Sequence, residues 1–473
     1  MLPAILRSSM NRFPLGEKPL PRPLPLKQLI GPSIILLGLG LGSGEVILWP
    51  YLVSNYGLGV VWGMVVGITI QFFLNMEIER YALARGESIF VGFARLYHGL
   101  PIWFAISTFI GFGWPGIGQA GSSLFSAAFG NTFPPTLISI GLFIAVGIAL
   151  SLGRVVYSTV ETILKWIIGV GVPFLVILSF FFIKPVDFIT LGQGFIGIGD
   201  GYIGLPTGIA IGVFLGALAY SGAGGNLNLS QSFYVRDKGY GMGIHMDRIK
   251  SLITGGGSTQ TIRLTGHRFP LTKPQLARFQ EWWRLVNLEH FLVFWCLGLF
   301  SMITLAMLAY TTSYGLEGNA EGITFVLNQA ATIASQTFPL LGSAFLVVTG
   351  TMLFGTQMTI LDSTSRIIAE NILLLQKNMS NNGSRAYYAV LWTQILFGLT
   401  VLIIGFDQPK QLITLGALIN AFAMFIFAGL LLLVNNGLLE KPLRPSWFRN
   451  LAVSIGFVVL GGFSFYNMFL NLR

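Results

Sequence analysis

Eleven separate apolar stretches, each long enough to cross a bilayer, constrain this chain more than any other feature. A helix crossing ~30 Å of hydrocarbon needs roughly 20 apolar residues. The stretches run near 29–53, 57–82, 102–128, 133–151, 158–183, 206–234, 289–312, 336–361, 386–405, 411–434 and 449–470. In lipid only helices and closed barrels satisfy their own backbone, and runs of this length predict helices. Charged residues make up 10% of the chain, against ~25% in an average soluble domain. The expected fold class is all-α, a polytopic membrane protein whose outer partner is the lipid bilayer.

Charge orients the spans. With the N-terminus cytoplasmic and sides alternating, 25 of the 28 Lys and Arg residues fall inside. Lys184, Lys410 and Arg473 fall outside. That split follows the positive-inside rule and predicts a C-terminus outside a bacterial or archaeal cell membrane. The net charge of +10 then reflects topology, and no nucleic-acid partner is expected. Residues 1–28 carry Arg7, Arg12, Lys18, Arg22 and Lys27 among Pro14, Pro19, Pro21, Pro23 and Pro25. No apolar core precedes a cleavage site there, so the segment reads as a cytoplasmic tail and not a signal peptide. Cys296 is the single cysteine; a packing role is expected and a disulfide within the chain is excluded. The segment 235–288 is the longest extramembrane piece. It holds the flexible Gly255-Gly256-Gly257, then Leu271–Leu288 with Trp282 and Trp283, which predicts an amphipathic helix lying at the cytoplasmic interface.

Two spans are interrupted. The first reads Gly38-Leu39-Gly40-Leu41-Gly42-Ser43-Gly44-Glu45, the sixth Tyr220-Ser221-Gly222-Ala223-Gly224-Gly225-Asn226-Leu227-Asn228. Irregular backbone at membrane depth is tolerated where it lines a cavity or binds something. Interruptions at matching places in two halves point to a transporter site; the bland alternative is close helix packing by small residues. Glu45 is an acid inside a span, a functional candidate by cost alone. Asn226 and Asn228 offer neutral oxygens. Span 8 adds Thr349, Thr351, Thr356 and Gln357, and then Asp362, which reads equally as an ion ligand or as an i,i+4 partner of Arg366. Pro115 predicts a kink in span 3 beside Gln119, and Asn420 in span 10 is a further candidate ligand.

The order of these features resembles the Nramp metal-transporter superfamily. The stretch Gly31-Pro32 through Gly42-Ser43-Gly44-Glu45 is similar to that family's first helix. Arg80-Tyr81-Ala82-Leu83-Ala84-Arg85-Gly86-Glu87 resembles its turn after helix 2, Val160-Glu161-Thr162-Ile163 part of its fifth helix, and Ala223 through Ser232 its sixth. The resemblance implies a LeuT-type fold, two inverted repeats of five helices plus an eleventh. The repeats would occupy 29–183 and 206–434, the second including loop 235–288, with the last helix in 449–473. The departures bear on chemistry. Where the family has Asp-Pro-Gly-Asn, this chain has Gly42, Ser43, Gly44 and Glu45; where it has Met-Pro-His-Asn, Ala223, Gly224, Gly225 and Asn226 stand. The metal-binding Asp and the thioether are gone, as in a branch some of whose members carry magnesium.

The implied metal site is Glu45 with Gly42, Ser43, Ala223, Asn226 and Asn228, and a further substrate or ion site draws on Thr356, Gln357, Asp362 and Asn420. All-oxygen donors suit Mg²⁺, Ca²⁺ or Mn²⁺. The expected function is a secondary transporter of divalent cations through unwound helices 1 and 6. The alternative is a cation-coupled symporter of a small organic solute such as an amino acid, bound at a half-helix N-terminus. A channel would show a filter or a repeated polar lining, and an enzyme a His/Asp/Glu cluster or an activated nucleophile; neither pattern is present, and no cofactor is expected. His98, His245, His267 and His290 all read as loop residues or loop edges, which excludes a His-based proton relay.

Overall fold

The computed structural model describes residues 13–25, 29–152, 156–246, 264–376, 383–405 and 409–471. Gly255-Gly256-Gly257 and most of the N-terminal tail lie outside them. Among the described residues eleven spans are present, the sixth of them interrupted. Span 1 is Pro32–Tyr56, span 2 Leu58–Arg85, span 3 Leu100–Ala128, span 4 Pro135–Leu152 and span 5 Val156–Phe182. Span 6 is interrupted, Ile211–Ala219 then Gln231–Lys238. Span 7 is Lys273–Ser313, span 8 Pro339–Leu375, span 9 Gly383–Ile403, span 10 Pro409–Gly437 and span 11 Trp447–Asn471. Short helices Ile89–Leu96, Pro185–Phe195 and Thr324–Gln336 join them. A hairpin pairs Ile198–Gly199 with Tyr202–Ile203, and Gly16–Glu17 pairs in parallel with His267–Arg268.

Local chemistry sets the ends. Proline opens spans 1, 4, 8 and 10, where its missing N–H costs nothing. Gly86 closes span 2 in the left-handed conformation. Span 3 kinks at Gly113–Pro115, as expected from the proline. The lipid-facing side is apolar: Ile102, Ile106 and Ile110 form one exposed stripe on span 3, and Phe180 and Phe181 stand out from span 5.

Three expectations are corrected. Leu271–Leu288 is not a separate interfacial helix: it is the first part of span 7, which runs on through 41 residues. Its second half is apolar enough for the bilayer while Trp282 packs inward, hydrogen-bonding the Pro21 carbonyl at 2.9 Å. His290 consequently lies in the protein interior, fully buried and stacked on Phe294 at 4.7 Å; it is not a loop-edge residue. Span 1 does not unwind. It stays helical throughout, widening to a π-helix over Leu41–Leu48.

One end of the bundle, where spans 2, 6 and 8 finish, is closed by a buried ionic layer. Arg366 bridges Asp362 at 2.9 Å and Asp237 at 2.5 Å. Arg236 bridges Asp237 and Glu370 at 3.3 and 3.0 Å. Tyr387 donates to Asp362 at 2.7 Å, and Ser88 donates to Glu370.

Candidate functional site

The site grows from the crossing of spans 1 and 6. A Cβ on Gly44 would lie 1.7 Å from the Tyr220 carbonyl oxygen, and one on Gly40 would lie 2.8 Å from the Gly222 backbone. Small residues thus bring the two backbones into direct contact. Trp49 Nε1 donates to Ser221 Oγ at 3.0 Å across the same crossing. Beyond it span 6 loses its helix. Gly224 and Gly225 take φ of 75° and 51°, conformations that glycine adopts without a Cβ clash. A 3₁₀ stretch, Gly225–Ser230, then leads into the second half.

The candidate ligands divide between two faces of this crossing. Glu45 is buried against span 7, where Ser301 Oγ donates to its Oε2 at 2.5 Å. Asn226 faces span 3: its Nδ2 donates to Ser107 and Thr108 hydroxyls at 2.8 and 3.0 Å. One turn along span 3, Asn420 Nδ2 donates to the Gly111 carbonyl at 3.0 Å and to the Tyr220 hydroxyl at 2.9 Å. A carbonyl only accepts, so the Asn420 amide orientation is fixed with its nitrogen there. Both amides spend their donors on the walls. Their oxygens, Asn226 Oδ1 and Asn420 Oδ1, are buried with no hydrogen-bond partner, as are both polar atoms of Asn228. Buried unpaired acceptors are costly, and an arrangement that consumes the donors and leaves the oxygens free suits a cation.

A cavity of about 20 Å³ adjoins, lined among others by Gly111, Tyr220, Ile360 and Gly416. That is room for one water or a bare ion. Further along span 10, a cavity of about 1010 Å³ opens at the end opposite the ionic layer, lined by residues including Gln119, Ser123, Thr324, Lys410 and Thr414. Lys410 donates there to the Tyr51 hydroxyl at 2.8 Å and the Ala320 carbonyl at 2.5 Å.

The remaining candidates are placed as follows. Gly42 N–H donates to Thr356 Oγ1 at 2.9 Å, and that hydroxyl donates to the Gly38 carbonyl at 2.7 Å, so Thr356 stitches span 8 to span 1. Ser43 falls within the π-helical segment. Ala223 is buried in the span 6 break. Gln357 accepts from the Gly118 amide at 3.1 Å. Asp362 sits in the ionic layer as the i,i+4 partner of Arg366, away from the break. Among the described residues no three His, Cys, Asp or Glu side chains gather as a metal cluster. Sequence reading missed Ser107, Thr108, Gly111, Tyr220 and Ser301. Serine and threonine in a helix ordinarily bond their own backbone, and nothing in the sequence flags the ones that also reach a neighbouring span.

No protein-family profile matches the chain, and no curated relative matches it. Solved structures do. The manganese transporter of Eremococcus coleocola, crystallised as a substituted variant, is 12% identical with a TM-score of 0.65, over 93% of this chain and 85% of that one. A nucleobase-cation-symport-1 family transporter, solved closed with bromovinylhydantoin bound, is 11% identical with a TM-score of 0.58, over 94% and 92%. At such identities the likeness is one of fold. The chain has the LeuT-type fold, five plus five inverted helices with an eleventh, in a multi-pass membrane protein.

Proposed function

We propose that this chain is a secondary transporter that moves small divalent cations, of the Mg²⁺ or Mn²⁺ class, by alternating access through the break in span 6. The observation that carries this is the pair of buried amides, Asn226 and Asn420, whose nitrogens are bonded and whose oxygens are free. Hard cations take oxygen ligands, and Mg²⁺ keeps much of its water. Glu45 adds a carboxyl group on the far side of span 1, held by Ser301. The shared fold with a manganese transporter supports the same reading, and the altered motifs group the chain with Nramp-related proteins lacking the usual Asp and Met. In this reading the N-terminus is cytoplasmic. The ionic layer then closes the cytoplasmic end, the large cavity faces outside, and the chain is held outward-facing.

A second reading, cation-coupled symport of a small organic solute, is favoured by the large cavity itself. Its ~1010 Å³ reaches the size of small-molecule sites, ~300–1,000 Å³.

The test is ion uptake into liposomes holding purified protein, with Mg²⁺, Mn²⁺ and Ca²⁺ offered against a fluorescent reporter inside. Uptake of at least one ion is expected, and its loss in Glu45→Ala and in Asn226→Leu. A folded wild-type protein that moves none of the three ions removes the cation reading and leaves the organic solute.

A further inference from the structure

A second group of buried polar side chains lies toward the ionic-layer end, outside the substrate site. Ser33, in the first turn of span 1, donates from Oγ to Glu289 Oε2 at 2.5 Å and stands 2.7 Å from His290 Nδ1. Both partners are on span 7. Glu289 Oε1 and His290 Nε2 are buried and make no hydrogen bond. Glu79 on span 2 is also buried, meeting only Gln231 Nε2, at 3.4 Å, and leaving Oε1 unpaired. No Arg or Lys forms a salt bridge with Glu79 or Glu289 among the described residues; Lys238, the cation acting on Glu289, is bonded to Glu161 at 2.8 Å. Keeping Glu79 and Glu289 both ionised at once is expensive at this depth, because neither has a cation bonded to it.

We propose that the chain Glu289–Ser33–His290 is a proton-binding site that couples substrate movement to a proton. The proposal rests on the transporter reading for its coupling role, while the site itself does not.

The bond inventory allows two arrangements differing by one proton. In the first, His290 Nδ1–H donates to Ser33 Oγ, and Ser33 donates to the Glu289 carboxylate. In the second, Glu289 carries the proton and donates to Ser33 Oγ, Ser33 donates to a bare Nδ1, and the imidazole holds its proton on Nε2. A proton arriving at Nε2 converts the first into the second. The Nδ1 proton passes to Ser33, and the Ser33 proton passes to Glu289; one proton enters and none leaves. Stacking of His290 on Phe72 and Phe294 holds the ring in place. The surrounding titratable groups are Glu79 on span 2, Tyr157 and Glu161 on span 5, Lys238 at the end of span 6 and Tyr240 just after it. Burial, then Glu289, Tyr157, Glu79 and Glu161, hold the Tyr240 phenol well above its ordinary range.

The coupling has a physical route. The Gly31 and Ser33 amides at the start of span 1 face the Glu289 carboxylate, and a helix N-terminus favours a negative charge. Protonating Glu289 removes that charge and weakens the tie between spans 1 and 7. Glu79 reaches Gln231, the first residue of the second half of span 6. Proton occupancy therefore bears on the inner halves of both crossing helices, and a ligand that favours one arrangement shifts their equilibrium.

Infrared difference spectra of the purified protein, taken on a step from mildly acidic to mildly alkaline pH, test the site without substrate. A carboxyl band that titrates in the wild type and is missing in Glu289→Gln is expected. Ser33→Ala keeps both titratable groups and cuts the bridge; it is expected to keep the band and shift its titration. Identical spectra for wild type and Glu289→Gln would overturn the proposal. In liposomes, an inward proton gradient is expected to raise Mn²⁺ accumulation in the wild type. Glu289→Gln should lose that response and retain Mn²⁺ exchange at equal pH. Accumulation indifferent to the gradient in the wild type would overturn the coupling. If no Mn²⁺ moves while the Glu289 band still titrates, the cation reading falls and the proton site stands.

Discussion

Arg366→Met is expected to cost about 3–5 kcal/mol, the range for breaking a buried ion pair from one side. Arg366 is buried between Asp362 and Asp237, with contacts of 2.9 and 2.5 Å. Its guanidinium also lies 5.8 and 5.9 Å from the Tyr234 and Tyr387 rings. Methionine fills much of the volume and carries no charge. Asp237 keeps Arg236, but Asp362 is left with hydroxyl donors alone. The measurement is thermal unfolding in detergent. Adding Asp362→Asn to Arg366→Met should recover part of the loss, because the orphaned charge goes too. Arg268→Ala is the control. Its partner is Glu17 at 3.1 Å, both side chains are more than half exposed, and such pairs are worth about 0–1 kcal/mol. If Arg366→Met unfolds no earlier than Arg268→Ala, the layer does not hold this end closed.

Gly44→Leu is expected to have a comparably large effect for a steric reason. The added Cβ would sit 1.7 Å from the Tyr220 carbonyl oxygen, and that atom belongs to a backbone that cannot rotate away. Ordinary overpacking costs about 1–3 kcal/mol; contact with main chain at this distance forces spans 1 and 6 apart. The variant should accumulate poorly, unfold at a lower temperature, and lose uptake with the shared crossing. Gly141→Ala, where nothing lies within 4 Å of the new Cβ, should unfold with the parent. Equal unfolding of Gly44→Leu and Gly141→Ala would mean that the crossing is not this close.

Much of this arrangement was legible in the sequence. Apolar runs gave the span count because a bilayer demands length and hydrophobicity together. The break in span 6 was visible because Gly224 and Gly225 sit among polar residues where a helix would otherwise continue. Span 1 misled for an instructive reason. Its glycines suggested unwinding, yet Gly40 and Gly44 serve close approach to span 6, and both uses need the same missing side chain. A π-helix such as Leu41–Leu48 leaves no mark in composition. His290 was assigned to a loop edge because hydropathy marks where the membrane ends and not where a helix does. Span 7 continues through Lys273, Arg278 and Arg284, carrying His290 inside. Asp362 and Arg366 were readable as i,i+4 neighbours; their union with Asp237 depends on a contact across 129 residues that no local pattern encodes. The Asn420 amide was a candidate from its place in span 10, but what fixes its nitrogen, and so leaves its oxygen against Gly225, is Gly111 and Tyr220, known only once the helices are packed.

Asn226→Asp gives the most direct test of the substrate site, read as Mn²⁺ binding to purified protein by equilibrium dialysis. The Ser107 and Thr108 hydroxyls that now accept from Asn226 Nδ2 can turn and donate to an aspartate oxygen, so the side chain keeps its place and gains a negative charge at the break. A carboxylate in place of a neutral amide should tighten Mn²⁺ binding by roughly tenfold or more, about 1.4 kcal/mol. Saturable binding in the wild type that strengthens in Asn226→Asp is the result a cation site at the span 6 break requires. Binding that is absent from the wild type, or unchanged or weaker in the variant, would contradict it.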